Sequence, residues 1–189
     1  MNKLGAMLSR WASRSAPLVF ALGCGGNVPP PAAAPGVIVA SITVTSRSFS
    51  SNGHIPVDYT CDGKDISPQV TWSSPPEGTR ALVVQLDDPD APSGTFTHWL
   101  VYNLAPDATS MAEALDPSSI GARVGLNDFQ NVRYGGPCPP HGQAHRYRFH
   151  IYALNAQLNV PEGATRADVD TAMSGHVLGE GALYAFFSH

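Results

Sequence analysis

The segment His145–Leu154, HRYRFHIYAL, alternates strictly: Tyr147, Phe149, Ile151 and Ala153 share one face, and Arg146, Arg148 and His150 share the other. A period of two places successive side chains on opposite sides of an extended chain, so this stretch reads as a strand with one apolar and one polar face. Phe96–Leu104 (FTHWLVYNL) is the second clear strand. Counted by twos, its His98 shares a face with Leu100 and Tyr102 and opposes Trp99, Val101 and Asn103. Shorter signals repeat along the chain: Ile42 with Val44, Val70 with Trp72, the apolar run Ala81–Leu86 and the final run Leu183–Phe187. Turn clusters such as SSPPEG and DDPDAPSG separate these runs at intervals typical of a sandwich. One helix is expected after Thr165, where Thr165 and Asp168 match a capping box and Val169, Ala172, Met173 and His176 fall on one stripe. That stripe reads as core packing, not as a ligand site.

The first residues have a different character. Lys3, Arg10 and Arg14 precede a short apolar run, Ala16–Gly23, which is too short for a permanent span and suits the apolar region of an export signal. Cys24, after Gly23 and before Gly25 and Gly26, resembles a bacterial lipobox cysteine, although Ala21 stands where leucine is usual. The reading is therefore residues 1–24 as a signal peptide ending at a lipid-modified Cys24, with an ordinary cleaved signal or an unprocessed arm as alternatives. Residues 25–37 are rich in proline and alanine and read as an extended linker. Residues 38–189 form the folded domain. Of the other two cysteines, Cys61 and Cys138, the sequence leaves a bridge and two free thiols equally open. A net charge of -4 with 14% charged residues argues against nucleic acid as a partner.

Three segments concentrate the unusual residues. Asp87-Asp88-Pro89-Asp90-Ala91-Pro92 crowds three carboxylates where prolines have removed backbone donors, although aspartate also turns chains for local reasons. His98 sits inside a strand, where a histidine is more often a satisfied structural residue. The segment Gly135–Tyr147, GGPCPPHGQAHRY, sets a stiff glycine- and proline-rich loop beside His145 and Tyr147, which share a face; the plain alternative is a tight corner.

Taken together, the chain from Ser41 onward resembles the phosphatidylethanolamine-binding protein family, in its bacterial, Raf-kinase-inhibitor-like branch. The motifs carrying the resemblance are YTCDGKDISP (59–68), DDPDAPSG (87–94), THWLVYNL (97–104), GLNDF (125–129), YGGPCPPHGQAHRYRFHIYAL (134–154) and GHVLGE (175–180). The resemblance implies an all-β domain: an antiparallel, Greek-key-like β-sandwich with one or two short peripheral helices. It also implies a small surface cavity for phosphate-like or phospholipid head-group anions. The family's site residues fall here on Asp88, His98 and His145, with Pro139, Pro140 and Gly142 at the mouth and Tyr147 close by. No role carries over to His141. Gln130 stands where the family usually has glycine, which leaves the local loop conformation in question.

The chemistry of these residues agrees with an anion pocket. Two imidazoles supply N–H groups without a fixed charge, while Asp88, which would repel an anion, is suited to orienting a histidine. The expectation is a non-catalytic binding protein of the bacterial cell envelope or periplasm, exported and held to the membrane by a lipid anchor, with neither cofactor nor metal. Family members inhibit kinases or proteases in some organisms, so an envelope protein partner engaged through a surface outside the pocket is an alternative. A serine or metal-dependent hydrolase is the weaker rival: G-x-S-x-G and H-E-x-x-H are both absent, and zinc held by Asp88, His98 and His145 would lack short ligand spacing.

Overall fold

The computed structural model describes residues 39–189. The expected signal segment, Cys24 and the proline-rich linker lie outside the described residues. Nine strands and one helix follow in the order β1 (Ala40–Ser41), β2 (Val44–Thr45), β3 (Val70–Trp72), β4 (Ala81–Asp88), β5 (Phe96–Leu104), β6 (Ser110–Met111), β7 (Arg123–Val124), β8 (His145–Leu154), α1 (Arg166–Met173) and β9 (Val177–Phe187). Short 3₁₀ turns occupy Val57–Tyr59 and Pro117–Ile120. Among the described residues no helix is long and apolar enough to cross a membrane.

The larger sheet has the order β1-β9-β8-β4-β5-β7, and a smaller one has β2-β3-β6. Pairing is antiparallel except at one edge, where β1 runs parallel to β9. The large sheet is therefore mixed, where the sequence reading expected antiparallel pairing throughout. The two parallel strands come from opposite ends of the domain, so no hairpin dictates their direction. Glycine makes the approach feasible: a Cβ on Gly181 would lie 1.7 Å from the Ile42 carbonyl oxygen.

The alternation seen in the sequence decides what each face buries. Leu82, Val84 and Leu86 of β4, with Phe149 and Ile151 of β8, pack against Val44, Val70, Trp72 and Met111 of the small sheet. Val83, Leu100, Tyr102 and Leu154 project the other way and are covered by Val169 and Met173 of α1. The Thr165 hydroxyl accepts from the Asp168 backbone N–H while the Asp168 carboxylate accepts from the Thr165 N–H, so the expected capping box starts α1. β4 is buried along its whole length between β5 and β8, and its last residues deliver Asp87 and Asp88 to the end of the sheet.

One irregularity matters for the site. Leu86 pairs with Trp99, but Asp87 then pairs with Thr97, so His98 is an extra residue in β5. Such a bulge re-aims the side chain it inserts. Leu100 and Tyr102 face α1, whereas the His98 ring lies edge-on to Tyr147, 5.3 Å away on the opposite face of the sheet. The face predicted for His98 from simple alternation is thus corrected.

Candidate functional site

The acidic loop resolves its own repulsion by sending its carboxylates apart. Asp87 points toward α1 and is fully buried between two guanidinium groups, Arg148 (3.0 Å) and Arg166. Asp90 accepts from the Arg146 backbone N–H at 2.8 Å. Asp88 faces the other way: one oxygen accepts from the Asp90 N–H at 2.9 Å, and the second lies 2.7 Å from Nδ1 of His145.

His98 is fixed by the glycine pair. Its Nδ1 lies 2.9 Å from the Gly135 carbonyl oxygen and 3.0 Å from that of Gly136. Carbonyls only accept, so Nδ1 carries the hydrogen and Nε2 of the neutral ring is a bare acceptor. Burial lowers the His98 pKa, with the two carbonyls and the Asp88 charge opposing it. The close approach demands glycine, because a Cβ on Gly136 would lie 2.5 Å from the Tyr59 carbonyl oxygen. The loop is held from outside as well: Gly136 N–H donates to Asp65 at 2.6 Å, and Asn127 donates to the Arg133 carbonyl at 2.9 Å. Gln130, where the family usually has glycine, takes φ +63° and donates its N–H to the Asn127 carbonyl. The side chain therefore occupies a left-handed turn conformation that glycine adopts more easily.

These elements enclose a cavity of about 330 Å³. Its polar end is Asp88, His98 and His145, all nearly inaccessible to bulk solvent. Its walls are apolar: Pro92, Phe96, Phe129, Pro139 and Pro140 contribute, with Cys138 at the edge. The structure thus brings together Asp88, His98, His145, Pro139 and Pro140. Two other residues take different places. Tyr147 lies in the core beneath His98 and does not line the cavity; its hydroxyl faces Asp88 and the Cys138 backbone, and burial with the Asp88 charge holds it well above the usual phenol range. Gly142 sits at φ +80° in the turn beyond Pro140, on the exposed side of the loop. It does not line the cavity either. His141 stacks on His189, with ring centroids 4.2 Å apart.

The sequence reading missed Phe96 and Phe129, whose rings meet edge-on at 4.7 Å and form one wall. Phe129 lies within the GLNDF motif, but an aromatic residue in a loop gave no sign of which cavity it would wall. The structure joins Cys61 and Cys138 in a disulfide with an S–S distance of 2.10 Å. Cys61 N–H also donates to the Pro137 carbonyl at 3.1 Å, so the Thr60–Asp62 turn is tied to the cavity loop. Among the described residues, the one group of three metal-ligating side chains within 4.8 Å of one another is Cys61, Cys138 and His189, and its sulfurs are bonded to each other. The rival zinc set of Asp88, His98 and His145 does not meet that spacing.

A mixed sheet with a bulged inner strand, β5, and two buried imidazoles at one end frames the cavity. Residues 45–188 match the family model described as phosphatidylethanolamine-binding protein. The chain is 46% identical over 152 residues to a UPF0098 protein of Aquifex aeolicus, covering 78% of this chain and 89% of that one. It is 36% identical over 162 residues to a Mycobacterium tuberculosis protein named "Putative lipoprotein LppC", covering 85% and 76%. Among solved structures, Escherichia coli YbcL, described as a member of the mammalian PEBP family, superposes with a TM-score of 0.74 at 29% identity, covering 79% of this chain and 99% of that one. The chain belongs to the phosphatidylethanolamine-binding protein family.

Proposed function

We propose that this protein is a non-catalytic receptor for a small anionic, phosphate-type head group, and that it works in the bacterial cell envelope. The observation that carries the reading is the convergence of His98 and His145 on one small cavity, with His145 oriented by Asp88. Each imidazole sets Nδ1 against a protein acceptor; Nε2 of His98 has no partner among the described residues, and Nε2 of His145 lies 3.4 Å from Oε1 of Gln143, a long contact that a ligand would replace. The apolar walls then accommodate the carbon skeleton behind an acidic head. Neither imidazole is hydrogen-bonded to a hydroxyl or thiol among the described residues, so the pairing of base and nucleophile that hydrolysis needs has no support here.

The leader-like residues 1–24 and the similarity to LppC support export and a lipid anchor at Cys24. Calorimetric titration with inorganic phosphate tests the pocket. The reading expects saturable binding by the wild type and a loss of about tenfold or more in His145→Ala; unchanged affinity in that variant contradicts it. Metabolic labelling with a palmitate analogue tests the anchor, with incorporation in the wild type and none in Cys24→Ser.

A further inference from the structure

The Cys61–Cys138 disulfide has a third metal-ligating side chain beside it. A ring nitrogen of His189 and the two sulfurs all lie within 4.8 Å of one another. Asp62 holds that ring in place: its Oδ2 accepts from His189 Nδ1 at 2.7 Å, and its Oδ1 lies 4.0 Å from Cys61 Sγ. The ring also packs edge-on against Phe187 at 5.7 Å and stacks on His141 at 4.2 Å, which leaves its side chain only 11% exposed.

The backbone holds the two cysteines together independently of their bond. Cys61 N–H donates to the Pro137 carbonyl at 3.1 Å, the Tyr134 hydroxyl donates to the Tyr59 carbonyl at 2.7 Å, and Gly136 N–H donates to Asp65 at 2.6 Å. These contacts survive opening of the S–S bond and keep the two Cα atoms near their present separation of 5.5 Å. Two thiolates on one zinc ion, each about 2.3 Å from the metal, stand about 3.8 Å apart, a spacing that side-chain rotation on such a backbone reaches. An imidazole nitrogen on the same ion stands about 3.6 Å from each sulfur, so His189 needs only a small adjustment.

We propose that Cys61, Cys138 and His189 form a redox-gated zinc site, metal-free as the disulfide and zinc-binding as the dithiol. A dithiol reductant passes two electrons and two protons to the S–S bond and leaves as a disulfide. Zinc then displaces both thiol protons, and the two thiolates balance its charge. Two sulfurs and one imidazole suit zinc, with the fourth tetrahedral position left to water. The Asp62 carboxylate strengthens the third ligand: with Nδ1 donating to it, the neutral ring carries its lone pair on Nε2 and gains basicity. Oxidation reverses the step. A disulfide oxidant takes two electrons from the thiolates and two protons from water, the S–S bond closes and zinc is released. All three residues are exposed, so reductant, oxidant and metal reach the site from solvent.

The test uses the full chain carrying Cys24→Ser, which removes the third thiol, in its oxidised form and after reduction by a phosphine that is then removed under nitrogen. Zn²⁺ alone is titrated in competition with a chromophoric chelator at about pH 7.5, and Co²⁺ replaces it for spectroscopy. The reduced protein is expected to bind zinc at least about a hundredfold more tightly than the oxidised protein, with release of about two protons. Co²⁺ is expected to give a thiolate-to-metal charge-transfer band only after reduction. His189→Ala, which leaves the disulfide intact in the oxidised form, is expected to weaken zinc binding by the reduced protein at least about tenfold. Zinc is also expected to raise the Tm of the reduced protein and to leave that of the oxidised protein unchanged, which reads the site even where reduction loosens the fold. Equal zinc affinity in the two redox states overturns the proposal, and so does a reduced-state affinity that His189→Ala leaves unchanged.

Discussion

Asp88 and His145, 57 residues apart in sequence, meet with Oδ2 2.7 Å from Nδ1, and both side chains are almost fully removed from solvent. The carboxylate holds the His145 ring at the cavity, so under the proposed function the aspartate acts on a ligand through the histidine. Asp88→Ala leaves a buried N–H unpaired and removes the orienting acceptor. It is expected to cost about 1–3 kcal/mol of stability and to weaken phosphate binding. Denaturant unfolding and phosphate titration of the same sample check both effects; wild-type values in both would contradict the account.

The Gly136 position tests the close approach of the loop to the rest of the fold. A methyl group there would lie 2.5 Å from the Tyr59 carbonyl oxygen and 2.7 Å from Thr60 Cα, both backbone atoms with little freedom to retreat. Gly136→Ala is expected to destabilise by about 1–3 kcal/mol and to displace a carbonyl that holds His98. Thermal unfolding measures the first effect. The chemical shift of the His98 Nδ1 proton measures the second.

Stability should also respond to acid. Burial lowers the pKa of His98, and burial with the Arg148 and Arg166 charges lowers that of His150 to about 4. A histidine with a depressed native pKa binds fewer protons folded than unfolded. Its unfavourable contribution is absent above the unfolded value of about 6.5 and grows as pH falls toward the native value. Tm is therefore expected to fall between about pH 6.5 and pH 4, and to fall less steeply in His150→Gln. A Tm profile in that variant as steep as the wild type's would rule out this origin.

The disulfide closes a long loop, with 77 residues of separation between Cys61 and Cys138. Chain entropy assigns such a cross-link about 4 kcal/mol. Reduction with a phosphine is expected to lower Tm and, because Cys138 borders the cavity, to weaken phosphate binding. Cys61→Ser should reproduce both changes in the absence of reductant.

Alternation made the long strands legible: the apolar positions of His145–Leu154 in the sequence are the positions that β8 buries. The start of α1 was readable too, because Thr165 and Asp168 act on each other's backbone three residues apart. The face of His98 was not readable by the same rule. A bulge depends on how β4 and β5 are paired, and pairing is a relation between strands that neither segment contains alone. Asp88, His98 and His145 stood out by residue type and motif. Tyr147 shares its face with His145 as the alternation indicates, but alternation does not say how deep in the sheet a side chain ends, and Tyr147 is buried behind the cavity lining. The parallel edge pairing of β1 with β9 escaped notice because two-residue contacts far apart in sequence leave no periodic trace.

The central claim is that an anion sits between the two imidazoles. Protein with ¹⁵N-labelled histidine, titrated with inorganic phosphate and followed by ring-nitrogen resonances, reads both rings at once. The account predicts that Nε2 of His98 and of His145 shift together and saturate at one phosphate, while the His150 and His176 resonances stay in place. Phosphate binding that leaves the His98 and His145 resonances unmoved would contradict it.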